Sequence, residues 1–326
     1  MMMLAAVGLF VLGLALLALG GDSIVKGAAG LSQRFGASPF VAGMVLVAFG
    51  TSLPEVAVNG QAIAQGQPAL ALGNAVGSNV VNVGLTLAIA ALAAPLVVRW
   101  RALAPLLVVL VLGTVAVIVL GLDGSLSRVE GFGLLIAFVA VFAFALARSR
   151  SEDAAVREEL EAYVRTSTDP TQNLLRVVIA AVALYFGSKF VVVNALQIGD
   201  WCGWSPLLTG LVPVAIGTAL PEAAAALAAA RRGQGDLVVG HVVGSSVFNL
   251  LVVVGAMAAW NTLPMPGLLV RYALPAALAF ALVLYPMLRG DLRVSRNEGI
   301  VLLVGFAAWL AFELVLVRDA AGIAPL

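Results

Sequence analysis

The sequence predicts an all-α polytopic membrane protein with ten transmembrane helices, arranged as two inverted-topology repeats of five helices in which helices 2 and 7 are broken. Three observations lead to this prediction. Apolar residues make up 62% of the 326 positions and charged residues 11%, and the mean hydropathy is +1.08. Ten apolar runs follow one another along the chain, and a segment of the first half recurs in the second. A soluble domain carries about 25% charged residues, so this composition excludes a water-soluble globular enzyme.

The apolar runs define the helices in order. A spanning helix needs about 20 mainly apolar residues. The runs that approach or exceed this length are residues 3–31, 38–61, 69–94, 103–121, 131–147, 174–197, 206–230, 237–259, 268–288 and 300–317. The longest polar stretch separates the fifth run from the sixth. We therefore expect a first five-helix repeat over residues 1–147, a cytoplasmic linker with one or two helical turns over 148–173, and a second repeat over 174–326.

The distribution of basic residues predicts the orientation. If both termini lie outside, thirteen arginines fall in inner loops and three in outer loops, which matches the excess of basic residues in cytoplasmic loops. We expect a multi-pass protein of the cell (inner) membrane, surrounded by the lipid bilayer and without an obligatory protein partner. A formal net charge of +1 gives no basic face for nucleic acid. The single cysteine, Cys202, allows no internal disulfide and no thiolate metal cluster.

An internal repeat relates the two halves of the chain. With an offset of 167 positions, residues 20–82 align with residues 187–249 without a gap and share 26 of 63 residues. The motif GTSLPE at 50–55 recurs as GTALPE at 217–222. Five helices precede the linker, so the second copy enters the membrane from the opposite side and the repeats are inverted. Inverted repeats are typical of transporters, whose binding site lies near the midplane where interrupted helices meet.

Two acidic residues, Glu55 and Glu222, lie well inside apolar runs at equivalent positions of the two repeats. A charge at the bilayer centre costs at least about 2.5–3.5 kcal/mol, so such residues are usually functional. Two neighbouring carboxylates repel each other unless a cation lies between them. Together they match the charge of one divalent cation, and Ca²⁺ prefers oxygen ligands.

The residues around these glutamates offer further oxygen atoms. Pro54 and Pro221 lack an N–H, so the carbonyl groups four residues earlier lose their helical partners. The threonine four residues before each glutamate shares its helix face. A polar stripe with a spacing of four follows in each repeat, made of Asn74, Ser78 and Asn82 and then of His241, Ser245 and Asn249. Such a stripe forms either hydrogen bonds between helices or part of an ion site, and the nearby glutamates favour the ion site.

The motif GTSLPE at 50–55 with GNAVGSN at 73–79, repeated downstream, resembles the paired alpha-repeats of the sodium/calcium exchanger family within the calcium/cation antiporters. The alpha-1 motif covers 38–88 and the alpha-2 motif 205–255. The resemblance implies a ten-helix antiporter that exports Ca²⁺ against inward Na⁺, with no prosthetic group. It implies the following ion ligands: Glu55 and Glu222 at the centre, with Thr51, Thr218, Ser52, Ser78, Ser245, Asn82, Asn249 and the carbonyls of Ala48 and Ala215.

The chain departs from the family pattern at positions that bear on the ions. Ala219 replaces the serine after Thr218 and removes one hydroxyl ligand, which affects Na⁺ binding. His241 and Ser246 replace two asparagines, and Asn249 stands where potassium-dependent relatives carry aspartate, which disfavours K⁺ co-transport. His241 is open to two interpretations: a pH switch, since histidine titrates near neutrality, or a neutral side chain with its hydrogen bonds satisfied, which we favour.

The sequence leaves three alternatives to Na⁺/Ca²⁺ exchange. The nearest is an antiporter of the same fold coupled to H⁺, because two buried glutamates can bind protons. An intramembrane hydrolase could use paired carboxylates as acid and base. The chain carries no Gly-Asp catalytic pattern, Ser/His pair or His-Glu zinc motif, so we do not expect an enzyme. A passive ion channel is disfavoured by inverted repeats with enclosed acids.

Overall fold

The structure is a computed structural model that describes residues 2–48, 50–99, 103–148, 154–289 and 293–320. Almost all of this part of the chain is helical. Its α-helices are α1 (Met2–Arg34), α2 (Pro39–Ala48), α3 (Leu53–Ala64), α4 (Pro68–Val81), α5 (Ala88–Ala93), α6 (Leu103–Leu120), α7 (Arg128–Arg148), α8 (Ala154–Tyr163), α9 (Pro170–Cys202), α10 (Pro206–Thr209), α11 (Ala215–Arg231), α12 (Gly235–Phe248), α13 (Gly255–Trp260), α14 (Leu274–Arg289) and α15 (Arg296–Ala320).

Nine helical stretches of the described chain are long and apolar enough to cross a membrane. The remaining predicted span, the second, is divided between α2 and α3. The predicted all-helical membrane architecture is therefore confirmed. Among the described residues there are also four two-residue strands: β1 (Leu96–Val97), β2 (Ser125–Leu126), β3 (Leu263–Pro264) and β4 (Arg293–Val294). β1 pairs antiparallel with β4 and β2 with β3, so each ladder joins a loop of the first half to a loop of the second.

The two motif-bearing spans depart from α-helical geometry in different ways. In the second span a 3₁₀ turn, Gly50–Ser52, separates α2 from α3, and Pro54 lies in the first turn of α3. In the seventh span the departure is a π-helical turn, Gly210–Val214, and α11 then continues through Pro221. The proline therefore starts a new helix in the first repeat but lies inside a helix in the second.

The third and eighth spans match each other closely. Each changes from α-helix to a π-helical segment at the same repeat position, Asn82–Leu87 in one copy and Asn249–Val254 in the other. π-Turns inside helices are rare and are frequent at functional sites. In both copies the segment begins at the asparagine that ends the polar stripe.

The first helices of the two repeats, α1 and α9, pack against each other along their length. Both contain 33 residues. Gly13 and Gly187 lie at a close approach of the two helices, where a Cβ on either residue would come within 2.9 Å of the other's carbonyl oxygen. Small residues at such positions let helix backbones approach closely, which drives helix association in membranes.

The linker contains more structure than the sequence predicts. Instead of one or two turns, residues Ala154–Tyr163 form the ten-residue helix α8, in which Val156 and Leu160 are buried. These apolar residues are four positions apart and therefore share one helix face. That face packs against α2 and α12. We call the side of the membrane that carries α8 the linker face.

Candidate functional site

The fold brings Glu55 and Glu222 together at the centre of the bundle. Both side chains are buried, with exposed fractions of 0% and 5%, and their carboxyl groups are close enough to interact directly. Glu55 lies in the first turn of α3, where the helix dipole favours a negative charge. Apart from their contact with each other, the four carboxylate oxygens have no hydrogen-bond partner within the described chain, so they have the capacity to ligate a cation.

Hydrogen bonds between the repeats surround the carboxylates. Thr51 Oγ1 lies 2.8 Å from His241 Nδ1, and at the equivalent position Thr218 Oγ1 donates to Asn74 Oδ1 at 3.5 Å. Each motif threonine of one repeat therefore contacts the first stripe residue of the other. Thr218 also donates to the backbone carbonyls of Val214, at 3.1 Å, and Ala215, at 3.3 Å.

The serines lack this symmetry. Ser52 and Ser245 share a hydrogen bond of 2.6 Å, and Asn82 Nδ2 donates to Ser245 Oγ at 3.3 Å. The repeat mates of the two serines are Ala219 and Ser78. Because Ala219 has no hydroxyl, the equivalent bond is missing, and Ser78 Oγ is buried without a partner among the residues described. The departure identified in the sequence therefore has a direct structural consequence.

Most of the ligand set that the resemblance implies is gathered around this point. Ser52, Ser245 and Asn82 are linked by hydrogen bonds, Thr51 contacts His241, and Thr218 contacts Ala215. Asn249 Nδ2 donates to Asn79 Oδ1 at 3.5 Å, which leaves Asn249 Oδ1 buried and free of hydrogen bonds in the described structure. Ala48 is the last residue of α2, and the 3₁₀ turn begins at Gly50. The described chain holds no cluster of three or more His, Cys, Asp or Glu side chains suited to a metal, so any ion here would also depend on neutral oxygen atoms.

Two cavities reach the site from the linker face. One, of about 120 Å³, extends along α11 from Glu222 to Arg232 and includes Thr51 and His241. The other, of about 280 Å³, extends from Glu222 along α1 to Asp22 and Lys26, which form a 2.7 Å ion pair. Tyr163 of α8 lines both cavities. Glu222 is therefore approached from the side of the membrane that carries the linker.

The corresponding route through the first repeat is closed. Ala225 is exposed and lines the smaller cavity, whereas its repeat mate Val58 is buried, with an exposed fraction of 0%. Asn74 Nδ2 donates to Asn59 Oδ1 at 2.9 Å across this position. The alanine-rich face of α11 thus leaves space where larger side chains of α3 fill it.

Sequence reasoning did not identify Asn59 or Tyr163 as part of the site. Asn59 lies four residues after Glu55, so the spacing that places Thr51 on the same helix face also applies to it. Tyr163 follows Val156 and Leu160 by seven and three residues, a pattern typical of an amphipathic helix. The polar composition of the linker concealed that pattern.

An all-helical membrane bundle whose repeats each supply one buried carboxylate to a central oxygen-rich site defines the class of secondary cation antiporters. The family model for "Sodium/calcium exchanger protein" matches residues 5–147 and 173–315. The chain belongs to this family.

Individual relatives agree with the family assignment. Over 324 residues the chain is 36% identical to the inner membrane protein YrbG of Escherichia coli K12, covering 95% of this chain and 97% of YrbG. It is 26% identical to the sodium/calcium exchanger MaX1 of Methanosarcina acetivorans over 93% of this chain and 96% of MaX1. A solved structure of the sodium-calcium exchanger NCX_Mj, soaked with Na⁺ and Sr²⁺, superposes with a TM-score of 0.67 at 28% identity, covering 95% of this chain and 99% of NCX_Mj.

Proposed function

We propose that the protein is a secondary antiporter that exchanges Ca²⁺ for Na⁺ across the membrane by alternating access. The observation that carries the proposal is the pair Glu55 and Glu222, buried side by side, whose four carboxylate oxygens have no hydrogen-bond partner in the described chain apart from their contact with each other. Two such charges together at bilayer depth are destabilising without a counter-charge. A bound cation supplies that counter-charge.

The ligand chemistry supports Ca²⁺ as one substrate. Ca²⁺ takes about six to eight oxygen ligands in flexible geometry. The two carboxylates can supply up to four, and Thr51, Thr218 and the carbonyls of Ala48 and Ala215 are the candidates for the remainder. The two negative charges match the charge of one Ca²⁺, so the loaded site is close to neutral.

Sodium is proposed at the polar positions around the carboxylates. Ser52, Ser245 and Asn82 form one hydrogen-bonded group from both repeats, while Ser78 and Asn249 contribute on the other side of the pseudo-symmetric arrangement. Their hydroxyl and amide oxygens suit a hard monovalent ion. The relatives MaX1 and NCX_Mj, both described as sodium/calcium exchangers, agree with this choice.

Exchange follows if both ions depend on the same carboxylates. Ca²⁺ and Na⁺ then compete, and either ion neutralises charge that would otherwise have to cross the low-dielectric interior. Occupied states therefore switch between the two membrane faces more readily than the empty state.

The proposal also includes the topology of the chain. It has two functional repeats, over residues 1–147 and 174–326, joined by a cytoplasmic linker, and both termini lie outside.

The alternative is a Ca²⁺/cation antiporter of the same fold coupled to H⁺. One observation favours it: position 219 of the second repeat has no hydroxyl, and Ser78 therefore lacks the partner that Ser245 has in Ser52. A proton needs only a carboxylate oxygen and no ring of hydroxyl ligands.

Radioactive ⁴⁵Ca²⁺ uptake into proteoliposomes tests both functions. With Ca²⁺ outside, we expect an outward-directed Na⁺ gradient to drive uptake and a pH gradient of equal driving force to leave it near background. The substitutions E55Q and E222Q should each abolish uptake, because one charge can no longer balance Ca²⁺. E313Q is the matched control, since Glu313 is also buried in a spanning helix but is hydrogen-bonded to Trp309 at 3.2 Å.

Each alternative outcome is informative. Uptake driven by the pH gradient alone would show that the coupling ion is H⁺ and not Na⁺. Unchanged uptake in both E55Q and E222Q, with E313Q also active, would contradict any mechanism based on the two carboxylates.

A further inference from the structure

The linker helix α8 is held in place by close packing. Val156 and Leu160 on its inner face are buried, and Val164 immediately after it joins a buried cluster with Val25 and Ala29. At Gly43 of α2 a Cβ atom would overlap the backbone carbonyl of Leu160. The linker is therefore docked on the spanning helices.

Polar contacts link α8 to Arg99, and the residue directly after α8 to α1. Arg99, which follows β1, forms an ion pair with Glu159 of α8 at 2.8 Å and another with Asp236 of α12 at 3.3 Å. The backbone N–H of Arg99 also donates to Asp236 Oδ1 at 2.6 Å. At the other end, Gln33 Nε2 of α1 donates to the carbonyl oxygen of Val164 at 2.9 Å. The helix thus connects α1 with the elements around the eighth span.

Tyr163, the last residue of α8, lies where the two linker-face cavities meet the site. Its side chain lines both cavities, and both also include Glu222 and Thr51. Burial raises the pKa of the Tyr163 hydroxyl to about 12, and nearby Asp22 and Glu222 act in the same direction. The ring therefore stands uncharged between the two cavities.

We propose that α8 is the gate of the ion pathway at the linker face and that the ring of Tyr163 is its closing element. In this role the docked helix holds the ring between the cavities and narrows the approach to Glu222. Displacement of α8 from α2 withdraws the ring and opens a wider approach. Because α8 is bonded to α1, a movement of α1 relative to α11 would also move the ring. The inference deepens the proposed antiport function and rests on it for the identity of the ion.

Cysteine labelling from one membrane face measures the gate directly. C202S provides a background without cysteine, and A225C places a thiol in the lining of both cavities. A membrane-impermeant methanethiosulfonate reagent is applied to each face of oriented vesicles. We expect labelling from the linker face, about tenfold faster with Y163A. Y163F keeps the ring and should label at the rate of the A225C parent.

Two further substitutions test the helix without altering the tyrosine. G43A should force α8 away from α2 and speed labelling, whereas G60A, at a glycine with open space around it in the same span, should not. L160S removes the buried anchor of α8, and its control is E161Q on the exposed face of the helix. Size-exclusion profiles identify variants that misfold. G43A and L160S both displace α8, so if one of them misfolds, the other provides the test.

The outcomes separate the gate from the transport function, because labelling requires no ion flux. Faster labelling in Y163A and in G43A or L160S, with unchanged rates in Y163F, G60A and E161Q, is the expected result even for a protein that fails to exchange Na⁺ for Ca²⁺. Equal labelling rates in all variants would contradict the proposal that α8 is a gate. An A225C thiol that does not react from the linker face in any variant would also contradict it.

Discussion

His241 is a residue whose role the contacts clarify. Its Nδ1 is hydrogen-bonded to Thr51 Oγ1, just as Asn74, its repeat mate, contacts Thr218. In this geometry His241 holds the Thr51 hydroxyl by a hydrogen bond at the edge of the candidate ion site. This contact concerns Nδ1 only, so the choice between a satisfied histidine and a pH switch stays a prediction.

Substitution of His241 distinguishes positioning from pH sensing. H241A removes one hydrogen bond to Thr51, worth about 0.5–1.5 kcal/mol, and should weaken Ca²⁺ binding by about two- to tenfold. H241N can keep a bond to the threonine and should bind almost as well as the parent protein. Calorimetric titration of Ca²⁺ measures both. A transport profile that becomes flat between about pH 5 and 8 in H241N would instead identify a pH switch.

Ala219 is the second informative residue, because it breaks an otherwise mirrored pair of contacts. We expect A219S to supply the missing partner of Ser78 and an extra oxygen for Na⁺, and so to lower the Na⁺ concentration that half-saturates exchange. The gain should be about two- to tenfold, the value of one hydrogen-bonding group. Na⁺-dependent ⁴⁵Ca²⁺ flux measures it, with A223S on the same helix as control. Identical Na⁺ dependence in A219S and the parent would argue that this position does not contact Na⁺.

At the scale of elements, glycines set the distance between the spans that hold the site. A Cβ at Gly77 of α4 would overlap the carbonyl oxygen of Leu211, and one at Gly210 would overlap that of Leu70. The third and seventh spans therefore pack backbone to backbone near the carboxylates. Small residues at this interface explain why the polar stripe of one helix reaches the motif of the other.

This packing predicts a stability difference between two glycine substitutions. G77A inserts a methyl group against backbone and should destabilise the protein by about 1–3 kcal/mol, as overpacked cores do. G60A meets open space and should leave stability unchanged or slightly raised. Thermal unfolding in detergent compares them. Equal midpoints for G77A and G60A would contradict the close approach of the two spans.

For the whole molecule, the main feature is that near-symmetric repeats build an asymmetric pathway. The site is reached through cavities on the linker face, while the pair Asn59 and Asn74 closes the equivalent route in the first repeat. Alternating access requires two states that differ in this way. In this structure both cavities that include Glu222 lie on the linker face.

Thiol accessibility at repeat-mate positions tests this asymmetry. In the C202S background, A226C should react with an impermeant reagent from the linker face. N59C should react at least about tenfold more slowly from either face, because a minor state is typically populated at about 0.1–10%. Equal reactivity of the two cysteines would contradict a pathway open on one face only. Ca²⁺ addition provides an internal check, since ions that favour one state change the two rates in opposite directions.

Composition, the run of apolar segments and the repeat were sufficient to predict the membrane architecture and the central glutamates. These features can be interpreted without knowing which helices contact each other. Bilayer thickness sets the length of a spanning helix, and a charged residue within an apolar run is costly in the membrane and therefore indicates a functional site. Tertiary structure alone decided which groups meet. The bonds from Thr51 to His241 and from Ser52 to Ser245 join residues about 190 positions apart. The docking of α8 on the spanning helices and the filling of the first-repeat route by Asn59 depend on surfaces that form only when helices pack together. The apolar periodicity of one segment does not specify which other segment it packs against.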